Sequence, residues 1–426
     1  MDLPISIDNH LIKSQFNGLR VIFSYICEVI LEQDKLDVST KKRSNIFNWR
    51  GQFTPEFVEY ILKTFAMEGD FVCDPFSGSG TVLLEAARQN IQATGFEINP
   101  AAYAMSKFFT FCNLSIPERI SFCDDFEKKI SSYIANLNGQ PIFLENEDYR
   151  KSYIHLLKFS SDFHEHLKDK QERIFLLNML FQSEKDKNLT LKASILKSFE
   201  YIKKSLLDLP ITTQPINAFL KDAKCVGEEL CGKVDLIVTS PPYINVFNYH
   251  QNHRAIIEEF KFDILKIAQS EFGSNRKNRG NRFKTVIQYC IDMELAIKSF
   301  WSSLKRNGKM VLILGRESNV RNIAFYNGKL IIEILDACNG FDNIKTLERK
   351  FTNKFGISIK EDIIIAFKSA NVLSDSCFGR KIALRHLEDN LNNTRGEIQS
   401  DILEAIKNNH QVLPSPLFDP KNVILK

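Results

Sequence analysis

The stretch that decides the fold reads Phe71-Val72-Cys73-Asp74-Pro75-Phe76-Ser77-Gly78-Ser79-Gly80-Thr81. Three apolar residues run into a turn with two glycines, and the helix-forming residues 82–87 follow at once. A second apolar run ends at Glu97, 17 residues after Gly80. Strand, glycine turn, helix, strand and acid in this order are the start of a doubly wound parallel sheet. The sequence therefore predicts an α/β protein.

The glycine turn and the acid that follows it both suggest a ligand. Gly78 and Gly80 carry no Cβ, so the backbone can approach a bound molecule, and the free N–H groups of the next helix favour an anion. An acid at the position of Glu97 often binds the two hydroxyls of a ribose. Two structural alternatives stay open: a tight turn that needs positive φ, and a helix cap for the chain entering Asn99-Pro100.

A third feature is Thr239-Ser240-Pro241-Pro242-Tyr243, which follows the apolar run at residues 234–238. Two consecutive prolines stiffen the backbone and remove two donors. Their carbonyls and the Ser240 hydroxyl can accept hydrogen bonds from an amino group, and Tyr243 offers a flat face for stacking on a base. An ordinary proline turn is the alternative, but the segment lies where a doubly wound sheet places its ligand cleft.

The rest of the chain is organised around these motifs. Its 426 residues are 44% hydrophobic and 25% charged, as in globular proteins. We predict an amphipathic helix around Leu19 to Leu31. Apolar residues at helical spacing, with few strand signals, predict a helical insertion later in the chain. The predicted divisions are residues 1–124 (N-terminal segment and first part of the catalytic domain), 125–213 (helical insertion), 214–369 (second part of the catalytic domain) and 370–426 (C-terminal extension of unknown role).

Several classes of protein are disfavoured. No apolar run reaches the ~18 residues of a membrane span, and MDLPISIDNH lacks the pattern of a secretory signal. Nine cysteines without a CxxC pair predict neither a disulfide framework nor a four-cysteine zinc site, and they fit a reducing cytosol. His164-Glu165-His166 has no further ligand at a recognisable spacing, so we expect no metal. A net charge of +4 neither requires nor opposes a nucleic-acid partner.

Together these motifs resemble those of the S-adenosylmethionine-dependent DNA amino-methyltransferases. Residues 74–81 are similar to the DPFxGSGT cofactor motif, and residues 239–243 to the catalytic motif in its TSPPY form. Phe53-Thr54-Pro55 resembles an additional cofactor motif, and Leu314-Gly315-Arg316 and Glu361 fit later segments. The resemblance covers roughly residues 45–125 and 214–368. It implies a doubly wound, mostly parallel Rossmann-like methyltransferase sheet with a helical insertion.

The resemblance also implies S-adenosylmethionine as cofactor and a role for each matching residue. Phe76, Gly78 and Gly80 would hold the methionine end, Glu97 the ribose, Ile98 the adenine ring and Asp222 the adenine amino group. Asp124 is an alternative to Asp222. The full predicted cofactor set is Thr54, Asp74, Phe76, Gly78, Gly80, Thr81, Glu97, Ile98 and Asp222. The predicted catalytic set is Ser240, Pro241, Pro242 and Tyr243.

The TSPPY form is most often associated with methylation of cytosine N4. The resemblance thus implies a cytosine-N4 enzyme that acts on a flipped-out base in double-stranded DNA, with a restriction endonuclease as functional partner, in the prokaryotic cytoplasm at the nucleoid. Adenine-N6 methylation is the nearest alternative. An RNA guanine-N2 enzyme is less favoured, because only about 50 residues precede Phe53 and such enzymes usually carry an RNA-binding domain there. The fourth hypothesis is a catalytically inactive DNA-binding protein on the same fold. The insertion, the basic loop 273–282 and the tail are candidates for target recognition.

Overall fold

The computed structural model describes residues 31–38, 41–136, 149–185, 189–244, 248–274, 278–352 and 356–418. The amphipathic helix expected around Leu19 to Leu31 lies outside these residues, apart from its last position. Among the described residues, no helix has both the length and the apolar character that crossing a membrane requires.

Seven strands in the described part of the chain form the central sheet, in the order β3-β2-β1-β4-β5-β9-β8. Their bounds are β1 (Phe71–Asp74), β2 (Gln92–Glu97), β3 (Ile216–Leu220), β4 (Val234–Thr239), β5 (Leu304–Gly315), β8 (Phe341–Thr352) and β9 (Ser358–Lys368), with β6 (Glu317–Val320) and β7 (Ile323–Tyr326) forming a separate hairpin. The first five strands in that order are parallel, and β9 is antiparallel to both β5 and β8. The expected doubly wound, mostly parallel sheet is confirmed.

Helices cover both faces of this sheet. In chain order they are α1 (Gln33–Asp37), α2 (Pro55–Phe65), α3 (Thr81–Arg88), α4 (Pro100–Phe108), α5 (Ile116–Asn136), α6 (Tyr149–His164), α7 (Lys170–Ser183), α8 (Leu191–Leu207), α9 (Val226–Leu230), α10 (Arg254–Glu259), α11 (Ile264–Ser270), α12 (Phe283–Ser303), α13 (Asn327–Cys338), α14 (Gly379–Leu391) and α15 (Gly396–Lys407).

Alternation along the strands sends side chains into two separate cores. In β5, Val311 and Ile313 join the core beneath α2, α3, α4 and the insertion, whereas Met310, Leu312 and Leu314 join the core beneath α12 and α13. Because both faces are buried, the strand reads as a continuous apolar run.

The helical insertion differs from its predicted boundary. The structure describes four helices here, α5 to α8, and the boundary placed between residues 124 and 125 falls inside α5. Helical periodicity runs unbroken through that point, so the insertion starts earlier, where α5 begins at Ile116. At the other end, α8 ends at Leu207 and β3 begins at Ile216.

The C-terminal extension has a definite place. Its helices α14 and α15 pack on the second face, where Leu387 and Ile402 join the core formed by α12. The extended segment after α15 then reaches back toward the ends of the parallel strands, where the Nζ atom of Lys224 donates to the carbonyl oxygen of Ser415 at 2.8 Å.

Candidate active site

A cleft of about 850 Å³ opens at the carboxyl ends of the parallel strands β1 to β4. This is where a doubly wound sheet binds its ligands. Nine of the predicted site residues form part of its walls: Asp74, Phe76, Gly78, Thr81, Glu97, Ile98, Asp222, Ser240 and Pro242. The tertiary structure thus brings together residues from four strand ends that are up to 168 positions apart in the chain.

The glycine turn has the geometry that its sequence indicated. Gly78 has a φ of +50° and Gly80 a φ of +86°, conformations that other residues rarely adopt. Gly80 does not line the cleft. A Cβ there would lie 2.8 Å from both the Phe109 ring and the Cα atom of Ser106. Gly80 therefore lets the turn pack against the last turn of α4 and Phe109 after it, whereas Gly78 faces the cleft.

Glu97 ties the end of β2 to the glycine turn. Its Oε2 atom accepts from the N–H of Gly78 at 2.9 Å, and its Oε1 atom accepts from the N–H of Asn99 at 2.7 Å. Burial raises the pKa of Glu97 to about 7. Glu97 lines the cleft, as a ribose-binding acid would. The helix cap considered as an alternative is made by a neighbouring residue, Asn99, whose side chain caps α4.

Asp222 and Asp124 occupy different environments. Asp222 follows β3, lines the cleft and is fully buried, and its Oδ2 atom has no hydrogen-bond partner among the described residues. Burial raises its pKa, although Lys224 opposes the shift. Asp124 lies within α5 with its side chain 53% exposed, 3.9 Å from the Nζ atom of Lys203. Asp124 is therefore outside the cleft.

Asp74 connects the glycine turn to the catalytic motif. Its Oδ1 atom accepts from the Thr239 hydroxyl at 2.6 Å and from the N–H of Phe76 at 3.1 Å. Burial raises the pKa of Asp74 to about 7. This contact fixes the spacing between the ends of β1 and β4.

The four residues of the predicted catalytic set do not all face the cleft. Ser240 and Pro242 line it, whereas Pro241 and Tyr243 do not. The Tyr243 hydroxyl lies 3.5 Å from the Ser240 hydroxyl. A Cβ on Gly315 would come within 2.8 Å of the Tyr243 ring, so this glycine makes room for the ring. Burial raises the pKa of the Tyr243 hydroxyl, and Glu361 adds to the shift.

Thr54 belongs to the predicted cofactor set but is not among the residues that line the cleft. It precedes α2, which begins at Pro55 as expected, but its side chain makes no cap hydrogen bond. Its hydroxyl accepts instead from the Nη2 atom of Arg349 at 3.2 Å, and Thr54 is not part of the cleft wall. The preceding residues 49–53 line the cleft in its place, because the chain turns away as the helix starts.

Several cleft residues were missed by the sequence reasoning. Trp49 and Tyr249 lie in the wall with their rings stacked, 6.1 Å apart at an angle of 14°. Gln52 accepts from the hydroxyl of Ser79 at 2.9 Å and so fixes the segment to the glycine turn. Trp49 and Gln52 precede the Phe53-Thr54-Pro55 motif and could have been included with it. Tyr249 carries no recognisable signal, because the fold of the segment after the catalytic motif brings it there.

The cleft fits S-adenosylmethionine on its own features. The buried Oδ2 atom of Asp222 lies 3.6 Å from the Nζ atom of Lys224 but has no hydrogen bond, and the Gly78 turn leaves the backbone open to close approach. Glu97 adds a carboxylate to the cleft wall, and Ile98 adds an apolar side chain. Within the described ranges, His, Cys, Asp and Glu side chains nowhere gather in a group of three that could hold a metal ion.

Three comparisons with known proteins gave matches. A family model described as DNA methylase, of the N6/N4 group, matches residues 24–108. The Type II methyltransferase M.MjaII of Methanocaldococcus jannaschii is 22% identical over 427 aligned residues, covering 74% of this chain and 79% of the relative. A crystal structure of a SAM-dependent methyltransferase from Methanosarcina mazei aligns with a TM-score of 0.34 and 11% identity, over 73% of this chain and 98% of that one.

The matched residues 24–108 include the glycine turn, Glu97 and the segment that lines the cleft beside them. The doubly wound fold follows from the strand order of the central sheet. S-adenosylmethionine is the expected cofactor, and DNA is the expected substrate. These two matches support assignment of the chain to the S-adenosylmethionine-dependent DNA amino-methyltransferases.

Proposed function

We propose that this enzyme methylates the N4 amine of a cytosine flipped out of duplex DNA. The observation that carries the proposal is Ser240, a neutral hydroxyl in the cleft wall at the first variable position of the catalytic motif. Adenine-N6 enzymes more often have an aspartate there. The target amine is inaccessible inside a duplex, so the base must leave the stack at a cost of a few kcal/mol.

The cofactor would be held by three parts of the cleft. The Gly78 turn accommodates its methionine end, the Glu97 carboxylate accepts from its ribose hydroxyls, and Asp222 accepts from its adenine amino group. When bound, S-adenosylmethionine supplies a methyl group on a positively charged sulfur. Residues 49–53 and Tyr249 shield this end of the cleft from water.

Ser240 and the backbone of the proline pair act on the base. The lone pair of an exocyclic amine is delocalised into the ring, which makes the amine a poor nucleophile. Acceptors at the Ser240 Oγ atom and the Pro241 carbonyl would draw the amine hydrogens out of the ring plane and localise the lone pair on nitrogen. Held in this way, the amine nitrogen would face the methyl group that the cofactor supplies and would release one proton to solvent, and correct placement would account for much of the rate.

Methylation of cytosine C5 is disfavoured. That reaction uses a cysteine nucleophile, and no cysteine lies among the cleft-lining residues that the structure describes. Direct attack by the amine requires no covalent enzyme intermediate.

Target recognition is assigned in this proposal to the helical insertion. The segment after the catalytic motif packs on it: the His253 ring lies 4.4 Å from Phe181, and Phe260 lies 4.9 Å from His164. A DNA-reading insertion would therefore adjoin the base-binding loop. The M.MjaII relative is a Type II methyltransferase, which supports a role as the modification enzyme of a restriction system.

The deciding experiment identifies the product. The protein is incubated with labelled S-adenosylmethionine and mixed-sequence duplex DNA, the DNA is digested to nucleosides, and the labelled nucleoside is identified. N4-methylcytosine supports the proposal, and N6-methyladenine refutes the base assignment. Label in a parallel tRNA sample alone would identify an RNA enzyme. Absence of label in both, with cofactor binding intact by calorimetry, would refute activity on these substrates.

The cofactor assignment has a matched pair of variants. Asp222→Asn should weaken S-adenosylmethionine binding about 10-fold or more, because an amide replaces a charged acceptor by a weaker one. Asp124→Asn makes the same chemical change on an exposed helix position and should leave affinity unchanged. Calorimetric titration of both measures this directly, and the reverse ranking would reassign the adenine acceptor.

A further inference from the structure

Three strands bring a row of residues next to the catalytic motif. Gly315 of β5 pairs with Glu361 of β9, and Glu361 pairs with Arg349 of β8. Residues directly opposite one another on neighbouring strands lie on the same face of a sheet. The row faces α2, because Arg349 lies against Phe57 of that helix with its guanidinium carbon 4.0 Å from the ring centroid.

Tyr243 lies at the end of this row and is held on two sides. The Cβ position of Gly315 is 2.8 Å from the Cε2 atom and 3.2 Å from the Cζ atom of its ring. Gly273 has a φ of +68°, and a Cβ there would lie 2.3 Å from the carbonyl oxygen of Tyr243. Two glycines, one against the ring and one against the backbone, thus let Tyr243 occupy a space with no room for larger neighbours.

The Arg349–Glu361 pair is buried and rigid. The Arg349 side chain is 3% exposed and that of Glu361 14%, and their Nη1 and Oε2 atoms are 3.1 Å apart. Arg349 also donates to the Thr54 hydroxyl and is enclosed by the rings of Phe57 and Phe351. Glu361, Thr54 and the two rings thus contact the guanidinium on four sides.

Stability alone gives a weak reason for this pair. Desolvation of two charges can cost as much as their attraction returns, and apolar replacements of similar volume are often at least as stable. The charges do act on Tyr243. Beyond the effect of burial, Glu361 raises the pKa of the Tyr243 hydroxyl and Arg349 lowers it. Neither member of the pair lines the cleft, so contact with cofactor or base does not explain them.

We propose that the Arg349–Glu361 pair positions the Tyr243 hydroxyl and, through it, the Ser240 hydroxyl 3.5 Å away for methyl transfer. The inference rests on the proposed role of residues 239–243 as the catalytic motif. Arg349 and Glu361 are positioning residues that act through Tyr243. Thr54 acquires a role here in place of its expected contact with the cofactor, because its hydroxyl holds the outer end of Arg349.

The test is a double-mutant cycle between Glu361→Gln and Tyr243→Phe. Glu361→Gln should lower kcat about 10- to 100-fold, the loss typical of slight misplacement, with less than a twofold change in the Kd for S-adenosylmethionine. In the Tyr243→Phe background the same substitution should lower kcat less than twofold, because the hydroxyl through which it acts is gone. Additive losses would overturn the proposal.

Glu294→Gln is the matched structural control. Glu294 lies on α12, away from the cleft. It is also a buried glutamate in an ion pair, in this case with Lys298, and its carboxylate accepts from the N–H of Gly379. Even where the two glutamine variants lower Tm by the same amount, only Glu361→Gln should lower kcat. Equal loss of kcat in both would show that a purely structural role suffices. Arg349→Lys, which keeps the charge, should retain more activity than Arg349→Met.

A readout without turnover separates this inference from the proposed function. Tyr243 is replaced by 3-fluorotyrosine, and its fluorine resonance is followed by NMR. Glu361→Gln should shift or broaden that resonance, whereas Glu294→Gln should not. This outcome supports positioning even if the wild-type protein methylates no DNA, a result that would refute only the proposed function. An unchanged resonance in Glu361→Gln overturns the inference whatever the activity.

Discussion

At the residue scale, the site depends on carboxylates in places that disfavour their charge. Asp74 and Glu97 both have pKa values raised to about 7 by burial. A raised pKa means that the folded state binds protons more tightly than the unfolded chain, so stability is lost as pH rises from the unfolded pKa toward the folded one. Asp74 and Glu97 thus reduce the stability of the protein near neutral pH, at two positions where the site needs hydrogen-bond acceptors.

Asp74→Asn tests that cost. The amide oxygen can still accept from Thr239 and Phe76, but it carries no charge. We expect the variant to be more stable than the wild type above pH 7, by up to about 4 kcal/mol, since one pKa unit corresponds to about 1.4 kcal/mol. The difference should shrink steadily toward pH 4. Urea unfolding across this range measures it, with exposed Asp375→Asn as control. A constant difference at all pH values would contradict the prediction.

Gly80→Ala tests the turn, with Gly69→Ala as its matched control. The two glycines have φ values of +86° and +84°, but a Cβ on Gly69 would meet nothing within 4 Å. Both substitutions should cost about 1–2 kcal/mol of backbone strain. Only Gly80→Ala should cost a further ~1–3 kcal/mol from overpacking against Phe109, and only it should weaken S-adenosylmethionine binding. Denaturant unfolding and calorimetry test both parts, and equal losses would show that strain alone governs the turn.

At the element scale, one buried side chain joins the two ends of the helical insertion. The Arg119 guanidinium, in the first turns of α5, is fully buried and donates to five backbone carbonyls. Their residues flank the insertion on both sides: Phe111, Cys112, Leu206, Leu209 and Pro210. Arginine suits this position because its planar fork presents five donors.

Arg119→Met should therefore destabilise the protein by about 3 kcal/mol or more, because it leaves several buried carbonyls without donors. Arg119→Lys should recover only part of the loss, since an ammonium group cannot reach all of them. Arg254→Met removes a half-exposed surface pair with Glu258 and should cost at most about 1 kcal/mol. Urea unfolding of the three variants is the measurement. Similar losses of stability in Arg119→Met and Arg254→Met would argue against the role of Arg119 in joining the two ends of the insertion.

At the scale of the whole molecule, the C-terminal extension completes the wall behind the cleft. Lys224 is 5% exposed and lies between two fully buried carboxylates, 3.6 Å from Asp222 and 3.5 Å from Asp292. Its Nζ atom also donates to the Ser415 hydroxyl at 2.6 Å, and the N–H of Ser415 donates to Asp292 at 2.8 Å. Segments nearly 200 residues apart thus share one charge cluster.

Lys224→Met should leave these two carboxylates without their cation. We expect a loss of about 3–5 kcal/mol at pH 8. The loss should be smaller at pH 5, because removing the cation raises both carboxylate pKa values and protonation then relieves the cost. Lys305→Met, which breaks the half-exposed pair with Asp235, is the control. Thermal unfolding at both pH values checks the prediction, and a larger loss at pH 5 would contradict it.

The sequence by itself determined the sheet, the cofactor turn and the resemblance to a methyltransferase family. Local patterns carry this information, because apolar runs, glycines and prolines constrain their own backbone wherever they occur. The start of α2 at Pro55 and the strands that end at Asp74, Glu97 and Thr239 follow from such patterns.

Only the tertiary structure decided which residues share the cleft. Asp222 lies within it and Asp124 outside it, although the resemblance left both open as the acceptor for the adenine amino group. Thr54 turned toward Arg349, and Tyr249 entered the wall without any sequence signal. Burial and partner choice depend on contacts between segments far apart in the chain, and a linear pattern does not encode those distances.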